Sequence, residues 1–303
     1  MPSTASAVRG RAGGLAGLLA LVLVAGAGLG GAGPAAAGAA TPLRGTIQYV
    51  TFRSSALDGT VHYSVYLPPD YAVSAKRYPV IYFLHGLPAT ATAYKGIQQI
   101  AEAVEASGRE AIVIGAQGAR SGDADPEWRN WGAGRNWETA TAQELVSVVD
   151  SRYRTIARRT GRLLVGISAG GYGATLIALH NPGVYAVVES WSGYFHATNA
   201  TGTAALDLGS RQADDWASAH TLIARAKRFL SAYGGRTYFA FCVGTDDSRF
   251  RSENEQFYRE LERAGVSQAA FRLYSGGHDW SLWARHALAW LGKGLSVAEA
   301  PTR

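Results

Sequence analysis

The chain has 303 residues, 47% of them hydrophobic, a formal charge of +6 at pH 7 and a single cysteine. That length and apolar content suffice for one large α/β domain or two small ones, and one thiol excludes an intramolecular disulfide. No nucleic-acid module and no aromatic–basic interleaving accompany the positive charge, so a nucleic-acid partner is not expected.

Residues 1–40 read as a secretory signal peptide. Arg9 and Arg11 precede an uncharged Ala/Leu/Val/Gly run over 12–33, and small residues with an A-x-A-like exit at Ala35-Ala36-Ala37 follow. So much of the run is Gly and Ala that a retained membrane anchor is the weaker reading. No Cys near the exit could take a lipid, and no second long apolar stretch follows. The expectation is therefore an exported, soluble protein without stable membrane insertion, with one domain over 41–295 and a short tail over 296–303. Two of the six charges lie in the leader, which leaves +4.

Segments 46–52 and 61–67 alternate and are rich in β-branched and aromatic residues, and Asp58-Gly59 between them predicts a hairpin-like pair at a sheet edge. Val80-Ile81-Tyr82-Phe83-Leu84 is continuously apolar, as a central strand buried on both faces must be, and it runs into His85-Gly86-Leu87-Pro88. A helix over 97–106 and a strand over 111–115 come next. Residues 116–137, with Trp128, Trp131 and Trp137, form a long loop of the kind that serves a site. Helical spacing over 139–153 leads to the apolar strand Leu163-Leu164-Val165.

Gly166-Ile167-Ser168-Ala169-Gly170 then spells G-x-S-x-G between that strand and a small-residue helix over 170–179. This is the context of a nucleophile elbow, in which a serine sits in strained geometry and flanking side chains would collide with strand and helix. Among 37 glycines the pentapeptide could equally be a Gly-rich turn with Ser168 as an ordinary N-cap. The rest of the chain breaks the tie. A strand over 184–191, a polar lid-like segment over 196–217, a helix over 222–230, a strand over 238–243, a charged helix over 253–264, a strand over 269–274 and a closing helix over 282–291 complete the pattern. Strands alternating with helices predict an α/β fold, a central, mostly parallel sheet with helices on both faces, whose ligands bind beyond the carboxyl ends of the strands.

A serine nucleophile needs an imidazole to take its proton and a carboxylate to orient that imidazole. Of seven histidines only His278 follows the last strand, on a Gly-Gly loop. His85 opens a different loop and reads as structural, and the others fall on helices, in an early strand or in the lid. Asp246 and Asp247, after the preceding strand, both qualify as the acid. The oxyanion would be held by two backbone N–H groups, those of Ala169 and Leu87. Asp123 and Asp125 lack any supporting His or Cys and read as turn residues, so neither a metal nor a cofactor is expected. Cys242 lies in an apolar strand and reads as an inert buried thiol. The arginines of 152–162 could meet an anionic surface, though such a run is more often the solvated face of a helix. Trp280 and Trp283 either line a pocket or anchor the last helix. Asn199-Ala200-Thr201 fits a glycosylation sequon.

Asn136-Trp137-Glu138-Thr139, Gln143-Glu144-Leu145, Val165 to Ala174 and Asn181-Pro182 together resemble the putative-esterase family of α/β-hydrolases. That family groups esterase D (S-formylglutathione hydrolase), feruloyl-type esterases and the secreted mycolyltransferases. The resemblance spans about residues 47–291 and implies the α/β-hydrolase fold. It is densest at the elbow, at Gly244-Thr245-Asp246-Asp247 and at Gly277-His278-Asp279-Trp280-Ser281-Leu282-Trp283. A family acid at the fourth place of G-T-x-D implies Asp247. Trp-Glu-Thr and His-x-Trp-x-x-Trp resemble the mycolyltransferase branch. Pro88 follows Gly86-Leu87 where that branch carries a basic, sugar-contacting residue, which argues against trehalose as acceptor. The expected function is a secreted serine carboxylic-ester hydrolase using Ser168, His278 and Asp247 on a small-molecule or cell-envelope ester. The alternatives are acyl transfer to a sugar or lipid hydroxyl, and a non-catalytic binding protein on the same scaffold.

Overall fold

Eight strands alternate with helices in the computed structural model, which describes residues 42–123, 127–199, 204–225 and 237–299. The expected signal peptide over 1–40, Asp125 and most of the sequon lie outside the described residues. Strands β1 (Thr46–Ser54) and β2 (Gly59–Leu67) form the expected antiparallel hairpin, with Thr46 opposite Leu67 and Ser54 opposite Gly59. Asp58 turns it with φ +45°. The remaining strands are β3 (Val80–Leu84), β4 (Ile112–Ala116), β5 (Arg162–Ile167), β6 (Val187–Trp191), β7 (Tyr238–Gly244) and β8 (Ala269–Tyr274). They lie in the order β1-β2-β4-β3-β5-β6-β7-β8. β2 meets β4 antiparallel, and every pairing from β4 to β8 is parallel.

A parallel sheet must be covered on both faces, and alternate residues of each strand supply the two cores. Val80, Tyr82, Leu84 and Leu164 enter one cluster with Trp137, Ile177 and Phe257. Ile81, Phe83, Leu163 and Val165 enter the other with Ile100, Val104, Leu291 and Leu295. The second face is therefore covered by α1 (Gln98–Ala106) and the closing helix, α7 (Trp280–Glu299). The first carries α2 (Val146–Arg152), α3 (Ala169–His180), α5 (Ala219–Arg225) and α6 (Arg251–Arg263), while the short α4 (Arg211–Trp216) follows the lid-like loop.

Several expectations shift at their ends, the strand expected over 184–191 starting at Val187 among them. The helix predicted over 139–153 begins at Trp137 and passes through a π-helical stretch, Ala140–Leu145, before α2. Of the helix expected over 222–230, the part within the described residues starts earlier, at Ala219. The closing helix runs to Glu299 rather than 291, so residues 296–299 are helix and not tail, because Leu295 and Ala298 continue the buried stripe of Leu291.

The family-like motifs before the elbow turn out to be ties. Glu138 accepts from Asn181 Nδ2 at 3.1 Å and meets His180 Nδ1 at 3.0 Å, holding the end of α3. Glu144 accepts the Ser55 and Ala56 N–H groups, both at 3.0 Å, and the Ser54 hydroxyl, closing the β1–β2 turn.

Candidate active site

The site starts from a backbone that only glycines permit. β5 delivers Ser168 at φ +52°, ψ −120°, a region few side chains enter. A Cβ on Gly166 would collide with the Gly170 carbonyl, and one on Gly170 with the carbonyls of Leu84 and His85. The small residues of α3 follow from the same crowding, since ten of its twelve residues are buried. Ser168 carries no side-chain cap on α3, which leaves its hydroxyl for other work and sets aside the N-cap reading.

Three loops converge on that hydroxyl. His278 Nε2 lies 2.9 Å from Ser168 Oγ, and His278 Nδ1 lies 2.8 Å from Asp247 Oδ2. With the proton on Nδ1 donated to the carboxylate, Nε2 is left to accept the serine proton. Asp247 is 1% exposed and His278 27%, so the carboxylate is shielded while the imidazole is partly open to solvent. Asp247 Oδ1 also accepts the Phe250 N–H at 3.3 Å, which fixes the carboxylate. Asp246 is instead exposed, and its carboxylate accepts the neighbouring Thr245 hydroxyl at 3.2 Å. The residue types leave the two open and the family resemblance implies Asp247; the turn faces that carboxylate inward and leaves the other exposed.

Ala169 is the first residue of α3, so its N–H has no intrahelical acceptor and sits at the positive end of the helix. Leu87 follows Gly86, which packs directly on Ser168: a Cβ there would lie 3.0 Å from Ser168 Cβ and 3.1 Å from the Ile167 carbonyl. Leu87 itself packs against an apolar cluster containing Ala169, Tyr194 and Phe250. His85 turns inward. It is 8% exposed, its ring packs on Trp128 at 4.9 Å, and Nδ1 lies 2.9 Å from the Gly86 carbonyl. Burial pushes its pKa down to about 4, against the Gly86 hydrogen bond, so it is a neutral spacer. The long loop thus contributes Trp128 as a floor beneath His85, its indole N–H donating to the His85 carbonyl at 3.3 Å.

A recess of about 360 Å³ opens beside His278, lined by Asp246, Asp247, Ser248 and Arg249. On the lid side a recess of about 460 Å³ is bordered by His196, Leu206, Leu208 and Ala217. Among the described residues no cluster of His, Cys, Asp or Glu could hold a metal ion, and Asp123 pairs with Arg120 at 3.3 Å. Burial raises the Cys242 thiol well above its ordinary range, which removes it as a nucleophile. Four arginines of the basic run serve the fold. Arg152 bonds the Thr51 carbonyl, Arg154 stacks on Tyr71, Arg159 reaches Thr237, and Arg162 pairs with Asp150 at 2.6 Å. Sequence reasoning did not find Phe250, whose ring packs on His278 at 5.1 Å. Its signal was its place three residues after Asp247. Trp283 is buried against the imidazole, whereas Trp280 is half-buried beside it.

A family model described as putative esterase matches residues 54–290. Esterase Rv1288 of Mycobacterium tuberculosis (strain ATCC 25618 / H37Rv) is 27% identical over 253 residues, covering 76% of this chain and 55% of that protein. The chain thus spans about half the length of the curated relatives it first matches. Among solved structures, a ferulic acid esterase is 25% identical with a TM-score of 0.70, covering 84% of this chain and 98% of that one. An S-formylglutathione hydrolase from Agrobacterium tumefaciens, at 17% identity and TM-score 0.67, covers 85% and 97% and shares the fold. The fold is that of the α/β-hydrolases.

Proposed function

From the premise that the chain belongs to the putative esterase family, we propose that it is a serine carboxylic-ester hydrolase with Ser168, His278 and Asp247 as its triad. The observation that carries this reading is the single imidazole bridging a strained serine at 2.9 Å and a buried carboxylate at 2.8 Å. Ser168 Oγ attacks the ester carbonyl as its proton passes to His278 Nε2, and Asp247 stabilises the imidazolium so formed. The Leu87 and Ala169 N–H groups receive the oxyanion, each supplying ~3 kcal/mol to the transition state. Collapse of the tetrahedral adduct breaks the C–O bond, and His278 returns the proton to the departing alcohol. Water then repeats the sequence on the acyl-enzyme, releasing the acid and free Ser168.

Small esters are the substrate class to test first, aromatic acyl esters among them, given the likeness to a ferulic acid esterase. The chain should take a serine-directed phosphonate at Ser168, and Ser168→Ala should lose both label and turnover, the latter by ~10⁴-fold or more. A folded protein that takes no label belongs instead to the binding class. Products analysed with and without added sugars distinguish hydrolysis from acyl transfer. Export through residues 1–40 belongs to the same proposal. N-terminal sequencing of the protein recovered outside the cell tests it, and an intact leader there would refute it.

A further inference from the structure

His278 is held between two buried rings. Phe250 packs at 5.1 Å between centroids, tilted by 59°, and Trp283 at 5.2 Å, edge to face at 87°. Both are nearly inaccessible, at 4% and 8% exposure. Trp283 arrives there by a local rule. Asp279 accepts the Leu282 N–H at 3.1 Å and so caps α7. His278 is then the residue before the cap and Trp283 the fourth of the helix, the pair that packs as a hydrophobic staple. The catalytic ring is one half of the device that fixes how the chain enters its last helix.

The other half is pinned from behind. The Trp283 indole N–H donates to Ser192 Oγ at 3.0 Å. Ser192 is fully buried, follows β6, and has φ +50°, a conformation that a non-glycine residue keeps only where its surroundings hold it. Its own N–H donates to the Cys242 carbonyl at 2.6 Å. Cys242 lies on β7, the strand that leads to Asp247. Ser192 thus joins the strand that delivers the acid to the helix that anchors the imidazole.

We propose that Ser192 is a positioning residue for His278, acting through its hydrogen bond to Trp283, which with Phe250 sets the plane of the imidazole between Ser168 and Asp247. This rests on the esterase reading above and extends it to a residue outside the triad. The imidazole must accept and return a proton in every half-reaction without leaving the line between two oxygens. Rings packed against it restrict its rotation without competing for its two nitrogens. A small misplacement of a catalytic group is costly in rate while leaving substrate binding intact.

Ser192→Gly tests this, because glycine takes φ +50° freely, so the hydroxymethyl side chain is lost without new backbone strain. Trp283→Phe removes the same bond from the other end and keeps a ring. On an activated short-chain ester, each variant should lose ~10-fold in kcat with KM within about twofold of wild type, and phosphonate labelling of Ser168 should slow in parallel. The double variant should fall no further than either single one, as expected for two ends of one interaction. A role confined to holding the fold together would lower Tm and leave the kcat of the folded enzyme unchanged. Wild-type kcat in Ser192→Gly or Trp283→Phe, or losses that multiply in the double variant, overturn the assignment. If Ser192→Gly does not fold, Trp283→Phe alone decides. Wild-type protein that takes no label at Ser168 sinks the esterase reading and this inference together, whereas labelled wild type with unaffected variants sinks only the inference.

Discussion

Glu189 occupies the middle of β6 with no accessible surface. Its Oε2 accepts the Trp191 indole N–H at 3.1 Å, its Oε1 has no hydrogen-bond partner, and Gly294 of α7 packs directly on it. Burial therefore pushes its carboxyl up to about 8, with the Trp191 hydrogen bond opposing only in part. A carboxyl that binds its proton more tightly when folded makes stability fall as pH rises. The full contribution is present below the ordinary value of 4.5 and is lost progressively up to about 8. At ~1.4 kcal/mol per pH unit, that interval withdraws on the order of 5 kcal/mol, a large share of a typical domain's stability. Glu189→Gln keeps an acceptor for Trp191 and cannot ionise. Urea unfolding at pH 5, 6, 7, 8 and 9 should show the variant pulling ahead of wild type as pH rises, by several kcal/mol at pH 9. Histidines elsewhere titrate equally in both proteins and cancel in the difference. Parallel stability curves for variant and wild type would refute the reasoning, because they would mean that folding does not raise the proton affinity of this carboxyl.

The two neighbouring aspartates should behave oppositely: Asp247→Asn should cost ~10⁴-fold in kcat by setting the wrong imidazole tautomer, whereas Asp246→Asn should stay within about twofold. Equal losses in steady-state assays would undo the assignment of the acid. kcat/KM should fall as the medium is acidified, because a protonated imidazole cannot take the Ser168 proton, and a flat profile would count against His278 as base. Gly173→Ala should destabilise the fold by ~1–3 kcal/mol in thermal melts, since its methyl would strike the Trp128 ring under His85. His220 is held by Glu260 at 2.5 Å and Glu253 at 3.4 Å. Burial lowers its pKa, but these carboxylates outweigh burial and raise it. Its contribution is thus present below the ordinary histidine range and lost as pH rises through its folded value. His220→Phe should accordingly cost more stability at pH 6 than at pH 9, and an equal cost at both would contradict the sign.

Much of the site was legible without coordinates because elbow chemistry is local. Gly166, Ser168 and Gly170 are constrained by residues within a few positions of one another, so their spacing carries the geometry. The alternation of apolar strands with helices likewise fixed the layer order, since a continuous run such as Val80 to Leu84 can be buried only in the middle of a parallel sheet. His278 stood out by its place after the last strand, for the same topological reason. The family-like Glu138 and Glu144 were visible as motifs but not as what they are, ties to His180 and the β1–β2 turn, because their partners lie 42 and about 90 residues away.

What only the tertiary structure decided were the choices among near-equivalent residues. Asp246 and Asp247 are identical in kind and adjacent, so the residues themselves leave both open and only the family resemblance implies Asp247; a single turn sends that carboxylate into a buried slot and the other to solvent. Trp283 read equally well as a pocket wall or a helix anchor until its indole was found between His278 and Ser192. Ser192 itself gave no signal in sequence, since a serine after a strand is ordinary and its φ of +50° is set by neighbours contributed from β7 and α7. Patterns along the chain determined which elements form and which ends of them meet. Side-chain direction across contacts of 31 to 110 residues was settled only when the packed sheet left each group one place to point.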